Sequence, residues 1–268
     1  QSKRLCTQHW DKMLSDISFE YYESVDSTND RIKERAKADA PQGLVISAGT
    51  QTAGKGRIGR KWESPSHDSI ATSILLRPDE IQLEAIPTIT VVAAMAVRDA
   101  LHRLYGLDGL IKWPNDIVLS GKKICGILTE MEMRQGKVWY VVVGIGVNVH
   151  NKDFEEDIAY KATSVDIELA KTSNQTGHRN ELTKAIWESF KKYYNIFIVT
   201  QDMSGLKMEY ESHLANNGER VRIEAQENSY EAIAKGIDNH GALIIDVDGE
   251  ERIINTGEVS VRGIYGYV

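Results

Sequence analysis

Cysteine is scarce in this sequence, since only Cys6 and Cys125 occur among 268 residues. Two thiols in a chain of this length provide no disulfide framework and are typical of a reducing compartment, so we expect a cytoplasmic location. Long apolar runs are lacking too, because none approaches the ~20 residues that a membrane-spanning helix needs. The first residues are charged and polar, and we therefore expect neither a signal peptide nor a membrane partner.

An excess of positive charge is also lacking. Lysine and arginine number 32 against 39 aspartate and glutamate residues, which gives a net charge of −7. An acidic chain is a poor general binder of nucleic acid, although a local basic patch would survive that argument. The composition is 41% hydrophobic and 26% charged, which is ordinary for a globular protein. We predict an N-terminal segment at 1–19, a main domain at 20–213 and a small domain at 214–268, where short alternating runs separated by turns begin.

What the sequence does contain is a stretch with three glycines and four cations within eight residues, Gly54 to Lys61. It follows an apolar run, Leu44–Ile46, that predicts a short strand. Glycines let a backbone lie against a ligand, and cations between them favour a phosphate or a carboxylate. The spacing of Gly54, Gly56 and Gly59 also matches the dinucleotide fingerprint, but the residues that follow break a helix rather than begin one. A solvated basic loop is the remaining alternative.

Polar side chains also stand between a predicted strand at 19–25 and an amphipathic helix that extends to about residue 40. They are Ser27, Thr28 and Asn29, and residues of these types are natural helix caps. Capping alone would account for the two hydroxyls, and contact with a ligand is the alternative.

The segment Lys112–Asp116 is a predicted corner between two strands. Its proline favours an extended residue before it, and its Asn-Asp pair is typical of a turn. A turn with no further role is one interpretation. The functional alternative places the Asp116 carboxylate where it holds a divalent cation on phosphate groups. Lys112 would then neutralise phosphate charge or simply lie at the surface.

Two further strands carry small residues that suggest a cavity. One strand begins with Lys123 and continues through Gly126, and its partner contains Gly144, Gly146 and Asn148. A lysine in such a position either points into a ligand cavity or lies exposed at the strand end. Alternation puts the last three residues on one face of the sheet. Glycines there indicate either close approach of a ligand or tight packing of the sheet.

The rest of the main domain is predicted to be scaffold. Apolar spacing predicts helices at 87–105 and 180–197 and a strand at 69–76. The acidic and polar residues 151–161 predict a loop. Cys125 is interpreted as buried filler rather than a nucleophile.

Taken in order along the chain, these motifs resemble those of biotin protein ligases. The loop at 49–62 is similar to the family's Gly-Arg-Gly-Arg-x-Gly-Arg signature, with Lys55 where many members have arginine. The other matching segments are Ser27-Thr28-Asn29, Lys112–Asp116, Gly121–Gly126, Gly144–Asn148 and Gly257–Gly263. The resemblance covers about residues 20–268. It implies an α+β fold with a mixed sheet and flanking helices, of the class II synthetase-like kind, plus a small C-terminal SH3-like β-barrel.

The resemblance also implies roles for individual residues. The implied catalytic residues are Arg57, Lys123 and Asp116, and Asp116 is also the implied ligand of Mg²⁺. The implied biotin-binding residues are Ser27, Thr28, Asn29, Gln51, Gly54, Lys55, Gly56, Arg57, Lys123, Gly126 and Gly144. The implied ATP-binding residues are Arg57, Arg60, Trp62, Lys112, Asn115, Asp116, Asn148, Glu258 and Arg262.

The implied reaction has two steps. ATP converts biotin to biotinyl-5′-AMP, and biotin is then transferred to a lysine of a biotin carboxyl carrier protein. A lipoate-type ligase is an alternative with similar chemistry, against which the glycine–cation loop and the Trp-Pro-Asn-Asp corner argue. A biotin-sensing repressor is an alternative from another class. Residues 1–19 are too few for the DNA-binding domain of such members, so we expect a form without that domain and without a nucleic-acid partner. The resemblance also allows a homodimer.

Overall fold

A mixed sheet of seven strands forms the larger part of the fold in the computed structural model, which describes residues 13–62, 67–78, 81–224, 229–255 and 260–263. In chain order its strands are β1 Ser18–Val25, β2 Leu44–Gln51, β3 Ser69–Leu76, β4 Leu110–Lys112, β5 Asp116–Leu119, β6 Lys122–Arg134 and β7 Lys137–Asn148. In space they lie in the order β1-β2-β3-β7-β6-β5-β4. The β1–β2 pair is parallel and the other neighbours are antiparallel. The predicted strands and the predicted corner at 112–116 are confirmed.

Helices cover both faces of this sheet. Within the described residues they are α1 Thr28–Lys37, α2 Ile86–Tyr105, α3 Glu156–Ala159, α4 Val165–Leu169, α5 Arg179–Thr200 and α6 Lys207–Ser212. On one face, Ile32 and Ala36 of α1 pack against apolar residues that include Leu75. On the other face, α2 and α5 form the main core, which includes Ile74 of the same strand. Successive strand residues thus point to opposite sides, as the period of a strand requires.

The long helix α2 is the centre of the main core. It begins with a proline in its first turn and ends at Gly106, which has a left-handed φ of 67°. The segment Leu83–Tyr105 is long and apolar enough to cross a membrane by length and composition, contrary to the expectation from the sequence. Its apolar window is 72% buried inside the protein. That burial is what the core helix of a folded domain would show.

The C-terminal part forms a second, smaller sheet. Its strands are β8 Arg220–Glu224, β9 Ser229–Ile237, β10 Leu243–Val247, β11 Glu250–Ile254 and β12 Ser260–Gly263. They pair antiparallel in the order β11-β10-β9-β8-β12. Among the described residues, β11 and β12 therefore form the edges of the sheet. The small all-β C-terminal unit is confirmed as a five-stranded antiparallel sheet.

The turn between β9 and β10 fastens the small sheet to the large one. The indole Nε1 of Trp113 donates a buried hydrogen bond of 2.9 Å to the carbonyl oxygen of Gly241. The hydroxyl of Thr88 on α2 donates to the carbonyl oxygen of His240 at 2.6 Å. Both contacts hold the C-terminal sheet close to the corner at 112–116. As a result, Arg262 on β12 lies in the same cavity as Asp116.

The structure changes one expectation about the scaffold and agrees with another. Residues 151–161 are not entirely loop, because α3 forms a short helix within them. Cys125 is fully buried, and burial raises the pKa of its thiol. A neutral, inaccessible thiol agrees with its interpretation as core filler. The domain boundaries at 19–20 and 213–214 stay a prediction.

Candidate functional site

A cavity lies on the α1 face of the large sheet, where α1 begins and where the glycine–cation loop passes over β6 and β7. We call it the inner cavity. Its lining residues are Ser27, Thr28, Asn29, Gln51, Lys55, Gly56, Arg57, Trp62, Asn115, Lys123, Gly126, Ile127, Leu128, Gly144, Ile145 and Gly146. Most residues predicted to bind biotin are therefore brought together here.

One end of the inner cavity is a buried polar network. The side-chain oxygen of Gln51 accepts hydrogen bonds from the Thr28 backbone N–H at 2.8 Å and from the Thr28 hydroxyl at 3.0 Å. The Ser73 hydroxyl lies 2.7 Å from Thr28 Oγ1 and 2.6 Å from Asn29 Oδ1, and its single proton can serve either. The Asn29 amide also donates to Glu130 at 2.7 Å. These hydrogen bonds hold each side chain in one orientation. Binding the polar edge of a ligand would require such fixed side chains.

Ser27 begins α1, but the predicted capping through its side chain is not present. No hydrogen bond from the Ser27 side chain caps the described helix. Its side chain is buried at the cavity wall instead. The ligand-facing alternative for this residue is therefore compatible with the geometry.

The floor of the inner cavity consists of strand glycines. A Cβ added at Gly144 would lie 2.1 Å from Asn29 Oδ1, and one at Gly146 would lie 2.3 Å from the Trp62 indole. At Gly126 the nearest atoms would be Lys123 Nζ and the Trp62 ring, each at 3.1 Å. Only glycine leaves room for the side chains that lie on this floor, so the structure shows close packing at these three positions. Approach of a ligand to the same floor stays a prediction.

The glycine–cation loop is closed by its own backbone. The Trp62 N–H donates to the Gly54 carbonyl oxygen at 3.0 Å, and the Gly56 N–H donates to the Arg60 carbonyl oxygen at 2.7 Å. Ile58 at its tip has a left-handed φ of 55°. Gly54 does not line the inner cavity; a Cβ there would meet the Trp62 carbonyl oxygen at 2.3 Å. Gly54 thus closes the loop, and its contact with biotin stays a prediction.

Lys55 does not point freely into the inner cavity. Its ammonium contacts both carboxylate oxygens of Asp30, at 2.8 Å and 2.6 Å. The hydrogen bonds that Lys55 donates to Asp30 raise the pKa of its ammonium. In this structure the lysine that replaces the family's arginine is therefore engaged by the first turn of α1.

A second cavity adjoins the first on the side of the C-terminal sheet, and we call it the outer cavity. Its lining residues are Gly56, Arg57, Ile58, Arg60, Lys61, Trp62, Lys112, Trp113, Pro114, Asn115, Asp116, Lys123, Val261 and Arg262. Six of these carry a positive charge and one carries a negative charge. A cavity with this charge favours a polyanion such as a chain of phosphates.

Arg57 and Lys123 lie at the junction of the two cavities, because both residues line each of them. The Arg57 guanidinium donates to the Asn115 side-chain oxygen at 3.0 Å. The Lys123 ammonium lies 2.7 Å from an Asp116 carboxylate oxygen, and it stands 5.7 Å from the centre of the Trp62 ring. Two cations are thus held where a ligand in one cavity would meet a ligand in the other.

Burial lowers the pKa of two of these cations. Lys112 is 5% exposed, and desolvation lowers the pKa of its ammonium to about 8, although Asp116 opposes the shift. Burial also lowers the pKa of Arg57. Cations without full hydration interact more strongly with an incoming anion. The predicted contribution of Lys112 to anion binding is compatible with this position.

Of three further residues predicted to bind ATP, the structure describes two, Asn148 and Arg262. Asn148 lies outside both cavities, and its amide donates to the Thr163 carbonyl oxygen at 3.1 Å. Arg262 lines the outer cavity, and its Nε donates to Glu224 at 2.7 Å. Glu258 lies outside the described residues. The geometry thus favours Arg262 over Asn148 as a contact for a nucleotide.

The sequence did not single out three residues that support the site. Ser73, Asp30 and Glu130 each contact a predicted site residue. The alternation of β3 places Ser73 on the α1 face, which is the one local signal that could have indicated it. The two carboxylates could not be found in this way, because their partners are distant in sequence.

The two cavities define a class of protein in which a pocket for a small molecule opens onto a cationic pocket that favours phosphates. The biotin/lipoate A/B protein ligase family model matches residues 21–148, and the biotin protein ligase C terminal domain matches residues 218–262. Together with the relatives described next, these matches show that the chain belongs to the biotin protein ligase family.

The relatives include ligases from several bacteria. The bifunctional ligase/repressor BirA of Bacillus spizizenii is 33% identical over 90% of this chain and 73% of its own length. The biotin–[acetyl-CoA-carboxylase] ligase of Paracoccus denitrificans is 30% identical over 89% of this chain and 98% of its own length. The solved biotin protein ligase from Aquifex aeolicus in complex with biotin and ATP has a TM-score of 0.78 and 26% identity, over 92% of this chain and 99% of that one.

Proposed function

We propose that this protein activates biotin with ATP and transfers it to a lysine of a biotin carboxyl carrier protein. The observation that carries this proposal is the junction of the cavities, where Arg57 and Lys123 line both. A carboxylate bound in the inner cavity would meet a phosphate bound in the outer cavity between these two cations. Relatives solved with biotin and ATP, and relatives named for biotin rather than lipoate, support this assignment. The repressor activity in the Bacillus relative's name is said of that relative alone.

In the first step a biotin carboxylate oxygen attacks the α-phosphorus of ATP. An O–P bond forms, the bond to the β-phosphate oxygen breaks, and pyrophosphate leaves. Negative charge accumulates on the phosphorus oxygens, so preorganised cations nearby lower the barrier. Arg57 is oriented by Asn115, and Lys123 by Asp116, at distances of 3.0 Å and 2.7 Å. Little covalent chemistry is left for the protein, and positioning carries the rest.

The polar end of the inner cavity would select biotin. A bicyclic urea has a carbonyl acceptor and two N–H donors, and its ring carbons are apolar. Thr28, Asn29 and Gln51 offer both donors and acceptors in fixed orientations. The Trp62 indole, which lies on the glycine floor, offers an apolar surface beside this polar end. A lipoyl group has no urea, so it would leave these buried polar groups without partners.

The described residues contain no group of three or more His, Cys, Asp or Glu side chains that could hold a metal ion alone. Mg²⁺ is usually held by one or two carboxylates together with substrate phosphates. The buried Asp116 in the outer cavity fits such a minimal site. When bound there, Mg²⁺ would offset phosphate charge. Asp116, which contacts Lys123 in the structure, would supply the carboxylate that holds the cation.

In the second step the carrier lysine amine attacks the acyl carbon of the adenylate. An N–C bond forms, AMP leaves with the electron pair of the C–O bond, and the amine loses a proton. The acyl-adenylate is also open to attack by water, so a closed loop over the inner cavity is required until the carrier arrives. We also propose a cytoplasmic location, because the sequence has only two cysteines, and a homodimer, which the resemblance to the family allows.

The first step can be tested without a carrier by exchange of labelled pyrophosphate into ATP in the presence of Mg²⁺. We expect exchange that depends on biotin and does not occur with lipoate. Exchange with lipoate alone would move the assignment to lipoate-type ligases. No exchange with either acid in a folded sample would refute the ligase assignment for this chain.

A further inference from the structure

Among the described residues, an ion pair between Lys55 and Asp30 joins the glycine–cation loop to the scaffold below it. The Lys55 ammonium lies 2.6 Å and 2.8 Å from the two carboxylate oxygens of Asp30. The side chains are 46% and 26% exposed, so the pair lies at the rim of the inner cavity and not in its interior. The loop rises from β2, and Asp30 belongs to α1, which contributes the polar end of the cavity. The contact therefore joins the lid of the cavity to its wall.

Asp30 is well placed to hold this contact. It lies in the first turn of α1, directly after Asn29, where a carboxylate also interacts favourably with the helix dipole. Burial opposes its charge, but hydrogen bonding and charge from Lys55, with a smaller contribution from Lys33, hold the pKa of the carboxyl below its usual value. Lys33 itself contacts Glu130 at 2.6 Å. The ionised Asp30 carboxylate thus lies between two lysines, and both of its oxygens contact Lys55.

Many members of the family have arginine at the position equivalent to Lys55. In this chain the lysine meets a carboxylate from α1, and the sequence separation of the two residues is 25. A second contact closes the other limb of the loop, where Arg57 donates to Asn115. Opening the loop requires both contacts to break. The Asp30 contact is the one that lies outside the reacting centre, so it can affect loop opening without touching the reacting atoms.

We propose that Asp30 is a positioning residue that, through Lys55, tethers the loop over the inner cavity and sets how long the activated intermediate is retained. The inference rests on the proposed function, because it concerns the biotinyl-adenylate made in the first step. Breaking the tether would raise the fraction of time for which the loop is open. The adenylate would then escape faster and would acylate free amines or water in place of the carrier.

The expected effect is modest, because the pair is partly exposed. Measured pairs of this kind correspond to factors of roughly two to five. The dissociation rate of preformed adenylate should rise by about that factor in Asp30→Asn and in Lys55→Gln. The effect should be largest at low ionic strength, because salt screens exposed pairs. In 0.5 M salt, where the Debye length falls to a few Å, wild type should approach the variants.

The experiment measures adenylate release from purified full-length protein in a chase with unlabelled biotin, at low and high salt. The wild type is first checked for biotin-dependent pyrophosphate exchange, so that failure of the proposed function is seen separately. The variants are Asp30→Asn, Lys55→Gln, the double variant, and Lys55→Arg. The matched control is Glu20→Gln. Glu20 contacts Arg35 near the other end of α1 at 2.6 Å, with exposures of 30% and 49% that match the tether.

A tether predicts that the double variant releases adenylate no faster than either single variant, and that Lys55→Arg retains it at least as well as wild type. It also predicts that Glu20→Gln behaves like wild type. If Asp30 acted only by stabilising α1, the two single effects would multiply in the double variant, and that result would overturn the proposal. A second result would also overturn the proposal. In a protein that performs the pyrophosphate exchange, Asp30→Asn would release adenylate at the wild-type rate at low salt.

Discussion

Replacing Gly144 with alanine tests the inner cavity most directly. The new Cβ would lie 2.1 Å from Asn29 Oδ1 and 3.1 Å from Asn29 Nδ2, distances that require the amide to move. Asn29 is 4% exposed and cannot escape to solvent. Its oxygen is held by Ser73 at 2.6 Å and its nitrogen by Glu130 at 2.7 Å. The substitution should therefore displace a side chain proposed to bind biotin.

Two magnitudes follow from this geometry. Overpacking a buried site by one methyl group costs about 1–3 kcal/mol, or a few degrees to roughly 10 °C in Tm for a chain of this size. Loss of a buried hydrogen bond between Asn29 and the ligand costs about 1.5–3 kcal/mol, so the Kd for biotin should rise roughly 10- to 100-fold. ATP binding should change little, because Gly144 does not line the outer cavity.

The control for Gly144→Ala is Val142→Ala, two residues earlier on the same face of β7. Val142 is fully buried in the apolar cluster under α1 and does not line the inner cavity. Its truncation should destabilise the fold by a comparable ~1–3 kcal/mol and leave the affinity for biotin unchanged. Calorimetric titration of both variants separates the two effects. Wild-type affinity for biotin in Gly144→Ala would refute the assignment of the inner cavity.

Three further predictions concern the supports of the two cavities. Ser73→Ala should weaken biotin binding about 5- to 10-fold in a titration, because Asn29 would lose the hydrogen bond that orients it; unchanged binding would remove Ser73 from the site. Trp113→Phe should cost about 1–3 kcal/mol in a thermal melt, because it leaves the buried Gly241 carbonyl without its 2.9 Å partner; an unchanged Tm would contradict this. Burial lowers the pKa of Lys112 to about 8. Its ammonium is therefore charged at lower pH and loses its charge as the pH rises through that value. The Kd for ATP should therefore rise above pH 8 by up to tenfold per pH unit, and Lys112→Met should abolish this rise; a flat wild-type profile would show that Lys112 does not meet the phosphates.

The elements of this fold were predictable because their signals are local. Apolar spacing indicated the helix that begins at Ile86, and alternation indicated the strand Ser69–Leu76. Glycines and cations in one loop indicated an anion site before any partner was known. The same reasoning put Gly144 and Gly146 on one face, as the structure has them. In each case the residues that carry the signal are neighbours in the chain.

The roles of individual side chains were less predictable. Asn148 shares the face of the two strand glycines, yet its amide is taken by the Thr163 backbone. Lys55 resembles a ligand contact in the sequence, and in the fold it meets Asp30. Trp62 was expected to bind ATP, and it lines both cavities and covers the floor formed by Gly126 and Gly146. In each case a contact within the protein decides where the side chain lies.

The sequence by itself determined the order of the elements, the chemical character of the glycine–cation loop and the resemblance to the biotin protein ligase family. Only the tertiary structure decided which cations line the two cavities and which of them also contact carboxylates. It also decided that the two cavities share Arg57 and Lys123. The physical reason is distance along the chain. Hydrogen bonds such as those of Asn29 to Glu130 and of Trp113 to Gly241 join residues 101 and 128 positions apart, and only packing of the whole fold brings such partners together.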